Sequence, residues 1–249
     1  MKGVLRWLLL LVLAGLLLQL FFVLSIAGAV VLDPVSTTFQ RSEAWRIATE
    51  RDRLRWRQQW VPASRISDHL KRAVIASEDD GFAQHEGVDW EALEKAWARN
   101  AKAEEQAAKL ALRLRSRASS AQATRPPKVV GGSTITQQLA KNLLLSGERT
   151  LFRKGQEFVL TMTLEALLPK QRILEIYLNN VEWGEGVFGA EAAAQHYWRK
   201  PASQLTPYEA ARLAVMLPRP RYFEKRSNSG YLANRANLIV GRMRHAELP

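Results

Sequence analysis

From Trp7 to Leu32 the chain has no charged side chain, and Gln19 is the one strongly polar residue in the run. The run is longer than the ~20 residues that cross a bilayer as helix. Lys2 and Arg6 precede it, which orients the N-terminus toward the cytoplasm. Ala27-Gly28-Ala29 has the small-x-small look of a signal-peptide cleavage site, so a removed leader is the alternative reading. Signal cores usually hold ~7–15 apolar residues, and this run is longer, which favours a retained anchor. Everything beyond Asp33 then lies outside the cytoplasmic membrane, where nucleic acid is absent.

The chain has 249 residues, a length that suits one anchor plus one globular domain. It contains no cysteine, which excludes a disulfide framework and a thiolate metal site. Formal net charge is +12, and all but the charges of Lys2 and Arg6 fall after the apolar run. Such an excess fits nucleic acid, an anionic membrane surface or a phosphate-bearing substrate. With the domain outside, a phosphate-bearing lipid explains it best.

The expected organisation is a cytoplasmic tip and anchor over 1–32, a membrane-proximal segment over 33–70, and a globular domain over 71–249. Residues 37–70 are arginine-rich and include Trp45, Trp56 and Trp60. They read equally as a solvated helix leading away from the membrane or as an interfacial segment with tryptophans at headgroup depth.

From Lys71 the pattern is almost entirely helical, with no run of alternating strands and no repeat. Asp89 caps a helix from Trp90 toward Arg117, and 116–130 read as a loop rich in Ser, Ala, Pro and basic residues. Ser133 sits at the N-cap of a helix through about Leu145. Further helices are expected over Leu151–Leu168, stopped by Pro169, and over Gln171–Leu178. Thr206-Pro207-Tyr208-Glu209 is a capping box with proline at the first helical position, opening a helix from 207 to about Leu217.

Three segments carry candidate chemistry. Glu78-Asp79-Asp80 follows the apolar run Ala73–Ala76, with His85 and Gly87 behind it. A carboxylate partly buried beside an apolar stretch acquires the raised pKa of a general base, although an acidic surface turn has the same residues. Gly131-Gly132-Ser133-Thr134 opens a helix on which Thr134, Gln137, Gln138 and Lys141 share a polar stripe, while Ile135, Leu139 and Leu143 share an apolar one. Glycines before a helix N-terminus let backbone N–H groups approach an anion. Arg153, Lys154 and Glu157 open the next helix, either as an i, i+4 ion pair or as cations and a second carboxylate for a diphosphate. Gly184-Glu185-Gly186-Val187-Phe188-Gly189 matches G-x-G-x-x-G but lacks the strand before it, and reads as a flexible loop. The four histidines show no ligand spacing, so no metal site is expected from side chains.

In order, the blocks Glu78–Gly87, Gly131–Gln138 with Lys141-Asn142, Arg153–Glu157 and Lys170–Asn179 resemble glycosyltransferase family 51, the peptidoglycan glycosyltransferases. The stretch Glu182–Tyr222 is similar to the short, single-domain proteobacterial members, and the resemblance covers roughly 58–244. It implies a mostly α, lysozyme-like domain with a small membrane-embedded jaw and one N-terminal transmembrane helix. It implies polymerisation of lipid II into β-1,4-linked glycan with inversion, with lipid II, the nascent strand and the lipid membrane as partners. It also allows other wall-synthesis proteins as partners, and involves no nucleic acid.

By the resemblance Glu78 is the general base and Glu157 assists on the leaving-group side. Lys141, Arg153 and Lys154 neutralise the departing diphosphate, and Asp79, Ser133, Thr134, Gln137, Gln138 and Asn142 contact substrate. It implies no organic cofactor, and family members often respond to Mg²⁺ or Mn²⁺. The domain is expected on the periplasmic side of a bacterial inner membrane. The chain departs from the family in a long, basic, alanine-rich spacer over 101–128. It contains no S-x-x-K, so no transpeptidase activity is expected. A murein hydrolase on the same scaffold and a non-catalytic wall-synthesis scaffold are the rivals. The Lys141, Arg153 and Lys154 cluster separates the first, since a hydrolase of finished glycan handles no diphosphate. The paired Glu78 and Glu157 argue against the second.

Overall fold

The computed structural model describes residues 2–50, 55–115, 132–145, 147 and 150–249, with only the backbone of 111–115. Helix α1 spans Lys2–Gly28 and is long and apolar enough to cross a membrane, with mean hydropathy 2.8 over its most apolar window. Most of its surface is exposed, and only Phe22 and Ile26 are buried. The uncharged run continues to Leu32, but the helix ends at Gly28 and the chain turns through 29–32.

Arg172 ties down this exit. Its guanidinium donates to the carbonyls of Ala29 (2.9 Å) and Leu32 (3.0 Å) and to the carboxylates of Asp33 (2.8 Å) and Glu175 (2.6 Å). Its charge also lies 5.5 Å from the ring centre of Trp60. Such bidentate, charge-assisted contacts fix geometry as well as adding energy.

Helix α2 (Thr38–Glu50) begins on a reciprocal pair, Thr37 and Gln40, each accepting from the other's backbone N–H. Both are fully buried. Gln40 also donates to the carbonyl of Asn180, and Thr38 to that of Leu143. The segment after the anchor is therefore docked on the domain along its first turn, while Trp45 stays exposed. Beyond it Trp56 packs on Phe188 at 4.5 Å between ring centres.

Strand β1 (Arg57–Gln58) precedes helices α3 (Asp68–Glu78), α4 (Trp90–Arg115), α5 (Ile135–Leu144), α6 (Leu151–Leu167) and α7 (Lys170–Asn180). Strands β2 (Glu182–Gly184) and β3 (Val187–Phe188) follow, then α8 (Ala190–Trp198), α9 (Pro207–Met216), α10 (Pro220–Glu224) and α11 (Gly230–Arg242). Helices dominate as expected, and the strands form one small sheet in the order β1-β3-β2, parallel then antiparallel. The core brings α3, α9 and α11 together and packs α5 on α6. Trp183, Tyr177, Phe82 and Phe188 are its largest fully buried side chains, each contributing roughly 1.5–3 kcal/mol by leaving water.

Two expectations need correction. The cap of α5 is Thr134, not Ser133: its hydroxyl accepts from Gln137 N–H while the Gln137 side chain accepts from Thr134 N–H. The pattern T-x-x-Q selects it, because Ser133 has Thr136 three residues on and so no reciprocal partner. The Gly184–Gly189 segment is a buried hairpin rather than a flexible loop. Gly186 has φ +72°, and a Cβ there would lie 1.9 Å from the Arg55 carbonyl oxygen, so only glycine fits. Asp89 does cap α4, accepting from Ala92 N–H at 2.8 Å. The capping box of Thr206 and Glu209 opens α9 as read from the sequence. The expected loop over 116–130 lies outside the described residues, as do Gly131 and most of the spacer beyond α4.

Candidate active site

Glu78 is the last residue of α3, whose Leu70, Ala73, Val74, Ile75 and Ala76 are buried. Asp79 leaves the helix in an extended conformation, so the two carboxylates point different ways. Asp79 is 7% exposed and both its oxygens are engaged. Oδ2 accepts from the backbone N–H of Ile135 at 2.9 Å, and Oδ1 lies 2.7 Å from His85 Nε2. His85 Nδ1 accepts from Gly87 N–H at 3.1 Å, which leaves the ring proton on Nε2 facing Asp79. The Thr134 hydroxyl donates to the Gly87 carbonyl at 2.6 Å. Gly87 itself has φ +83°, with Thr161 and Glu165 side chains within 3 Å of where a Cβ would sit. This knot presses the first turn of α5 against the end of α3.

The consequence is a fixed neighbour for Glu78. Gln138, on the second turn of α5, donates from Nε2 to Glu78 Oε2 at 3.1 Å. Its Oε1 accepts from the hydroxyl of Tyr177 at 2.9 Å. Because a phenol donates here, the amide is oriented with its NH₂ toward the glutamate. Tyr177, on α7, is 1% exposed. Burial pushes its hydroxyl well above the usual phenol range, with Glu78 and Asp79 adding to the rise, so it remains a donor. Burial likewise raises the Glu78 carboxyl above the ordinary carboxylate range. Hydrogen bonds from Gln138 and Ser77 oppose the shift, and the negative charge of Asp79 adds to it. A desolvated, oriented carboxyl with a raised pKa is a stronger base than an ordinary carboxylate.

Three cavities adjoin this pair. One of about 310 Å³ holds Glu78, Asp80, Ser133, Lys95, Arg99 and Arg242. A second, about 440 Å³, also reaches Glu78 and lies against α10 and α11. The third, about 430 Å³, is lined by Gln138, Lys141, Asn142, Arg153 and Glu182. The amide of Gln138 thus separates the carboxyl from a cation-bearing cavity.

Glu157 is 3% exposed and each of its oxygens meets a cation: Arg153 at 3.1 Å and Lys154 in a closer pair. It holds those two side chains in place as the first turn of α6 begins. Arg153 Nε is buried with no hydrogen-bond partner among the described residues, an atom that an anion in the third cavity would satisfy. Opposite, Glu182 is buried, which raises its carboxyl, and Arg221 pairs with it at 2.7 and 3.1 Å. Arg221 also reaches Glu43, which holds Arg46 at 2.8 Å.

Of the residues expected at the site, Gln138, Lys141, Asn142 and Arg153 line the third cavity, and Glu78, Asp79, Ser133 and Thr134 line the first. Thr134, Gln137 and Asp79 also build the frame, through hydrogen bonds to backbone groups and His85. Tyr177, His85 and the Glu182–Arg221 pair were not among the expected site residues. Tyr177 lies within the block Lys170–Asn179, where its inward spacing on α7 was the available signal. Among the described residues no three His, Asp or Glu side chains converge as ligands for a cation. The oxygens of Glu78 and Asp79 face hydrogen-bond donors, so the side chains do not fit a resident divalent ion.

The transglycosylase family model matches residues 46–108 and 111–244. A biosynthetic peptidoglycan transglycosylase of Burkholderia thailandensis (strain ATCC 700388 / DSM 13276 / CCUG 48851 / CIP 106301 / E264) is 50% identical, over 100% of this chain and 90% of that protein. Proteins of the same description from Herminiimonas arsenicoxydans and Janthinobacterium sp. (strain Marseille) are 49% and 48% identical, each over 100% of this chain and 99% of its own length.

Proposed function

The chain belongs to the transglycosylase family, and we propose that its cleft joins lipid II units into β-1,4-linked glycan with inversion and release of undecaprenyl diphosphate. Glu78 takes the proton of the acceptor's 4-hydroxyl as that oxygen attacks the anomeric carbon of the growing strand. Gln138 steadies the carboxyl through the attack. The diphosphate leaves into the cavity of Lys141 and Arg153, where fixed cations stabilise charge as the bond breaks. Lys154 and Glu157 keep Arg153 aimed there. The observation that carries this reading is the half-buried Glu78 carboxyl, set by Gln138 at 3.1 Å, with Gln138 also lining a cavity that holds Arg153 and its unsatisfied Nε.

The same proposal places α1 across a bacterial inner membrane, N-terminus inside, with the domain on the periplasmic face. Leu151 and Phe152, 93% and 85% exposed at the start of α6, then enter the lipid beside α1 as the jaw. An apolar pair so exposed beside a spanning helix has a natural partner in acyl chains.

The test is the full-length chain in detergent with lipid II, followed by sizing of the product. Lys141→Ala and Arg153→Ala should each raise the barrier by about 2–4 kcal/mol. Unchanged polymerisation in both, or efficient digestion of purified glycan by the wild type, rules the reading out.

A further inference from the structure

The second cavity, of about 440 Å³, is not accounted for by proton transfer or by the leaving diphosphate. It runs from Glu78 over α10 and α11 and is lined by Arg219, Arg226, Arg235, Tyr222 and Tyr231. Glu78 is its one acidic lining residue. None of the three arginines forms an ion pair among the described residues, as with Arg99 in the first cavity and unlike Arg153 and Arg242 in the neighbouring ones. Three uncompensated guanidinium groups facing one concavity set up a positive potential that an anionic ligand relieves.

The rings give the cavity a second character. Tyr222 and Tyr231 are 47% and 57% exposed, yet neither is loose. Buried Phe223 backs both: Tyr231 stacks parallel to it (3°, 5.8 Å) and Tyr222 meets it edge-on (84°, 5.1 Å). Arg226 lies over the Tyr222 ring at 4.2 Å, which holds its guanidinium at the cavity wall. Exposed aromatic faces on a rigid backing suit the apolar C–H faces of sugar rings. Forked guanidiniums suit carboxylates.

We propose that this cavity binds glycan through Tyr222 and Tyr231 and holds the carboxylates of its peptide branches on Arg219, Arg226 and Arg235. The inference rests on the polymerase reading and adds to it a site for peptide-substituted saccharide in a cavity that Glu78 lines and Lys141 does not. Chemistry alone selects this occupant over a bare sugar: stem peptides bring carboxylates to every second residue of the strand, and the diphosphate is handled elsewhere.

The experiment uses the full-length chain in detergent, with lipid II polymerisation by the wild type measured alongside. The probes are a soluble, lipid-free tetrasaccharide of alternating N-acetylglucosamine and N-acetylmuramic acid with its peptide stems, and the same tetrasaccharide stripped of them. Binding is read by titration calorimetry. The wild type should bind the stem-bearing probe more tightly. Arg226→Ala with Arg235→Ala should weaken that probe by about tenfold and leave the stripped one unchanged. Tyr222→Ala with Tyr231→Ala should weaken both.

Equal affinity of the wild type and the arginine double variant for the stem-bearing probe overturns the proposal, as does absence of binding by the wild type. Either result with polymerisation intact leaves the polymerase reading standing, whereas a wild type that binds but makes no polymer fails that reading alone. Arg226→Lys with Arg235→Lys keeps the charge but loses the fork, and should give an intermediate affinity. It serves in place of the alanine pair if that pair does not fold.

Discussion

Gln19 and Gln156 exchange two hydrogen bonds through their side-chain amides, at 2.8 and 3.0 Å. One belongs to the apolar α1 and the other to α6, next to Glu157 in sequence. In hydrocarbon an unpaired amide is costly, so the pair fixes the register of the two helices. Gln19→Leu and Gln156→Leu should show a coupling of about 0.6–1.7 kcal/mol in a double-mutant cycle of unfolding in bicelles. Additive single effects would remove the pair as a register lock.

Glu78→Gln keeps the shape of the side chain but removes the proposed base, so polymerisation should fall by ~10²-fold or more. Wild-type activity should rise with pH through a midpoint above the ~4.3 of an ordinary glutamate, because burial raises this carboxyl and only the ionised form accepts a proton. Stability runs the other way. A carboxyl whose folded pKa is raised contributes most below its unfolded value, and the contribution fades as pH rises through the folded one. The amide introduced by Glu78→Gln never charges, so the variant should melt above the wild type at neutral pH and approach it in acid. Calorimetric scans across pH decide this, and a variant melting below the wild type at neutral pH contradicts it.

Tyr177→Phe removes the donor that orients Gln138. The amide is then free to flip and present its oxygen to Glu78, so kcat should drop about tenfold while KM changes little. Melting should shift by a few degrees at most, since the ring stays packed. A change confined to KM would show that Gln138 is oriented by something else.

Asp79→Asn separates a frame role from a substrate-binding one. Its two oxygens accept from Ile135 N–H and face His85 Nε2. An asparagine amide turns an NH₂ toward one of those donors, at a cost of about 1–3 kcal/mol. Chemical denaturation should register that loss without substrate. Unchanged stability with raised KM would instead assign Asp79 to the substrate.

Helices with local signals were legible in the residues. The T-P-Y-E box of α9 and the Asp89 cap of α4 are decided within one turn of chain, where neighbours in sequence are neighbours in space. Glu78, Lys141 and Arg153 were expected at the site from the resemblance of their blocks, and each lines one of the cavities beside the Glu78–Gln138 pair. What escaped was decided by distant partners. The glycines of the β2–β3 hairpin are required by the carbonyls of Arg55 and Asn179, and no local pattern carries that. Tyr177 is an ordinary inward residue of α7 until α5 brings Gln138 to its hydroxyl. Glu182 meets Arg221 across α8 and α9, so its role depends on the finished fold.

The grip of Arg172 on Ala29, Leu32 and Asp33 makes the link after α1 a mount and not a leash. With α1 in a bilayer, the head keeps one height and one tilt above the lipid as it drifts laterally. It has no slack with which to follow a lengthening product outward. In the proposed polymerisation each addition takes place at that one height above the lipid, and the strand, rather than the head, moves outward.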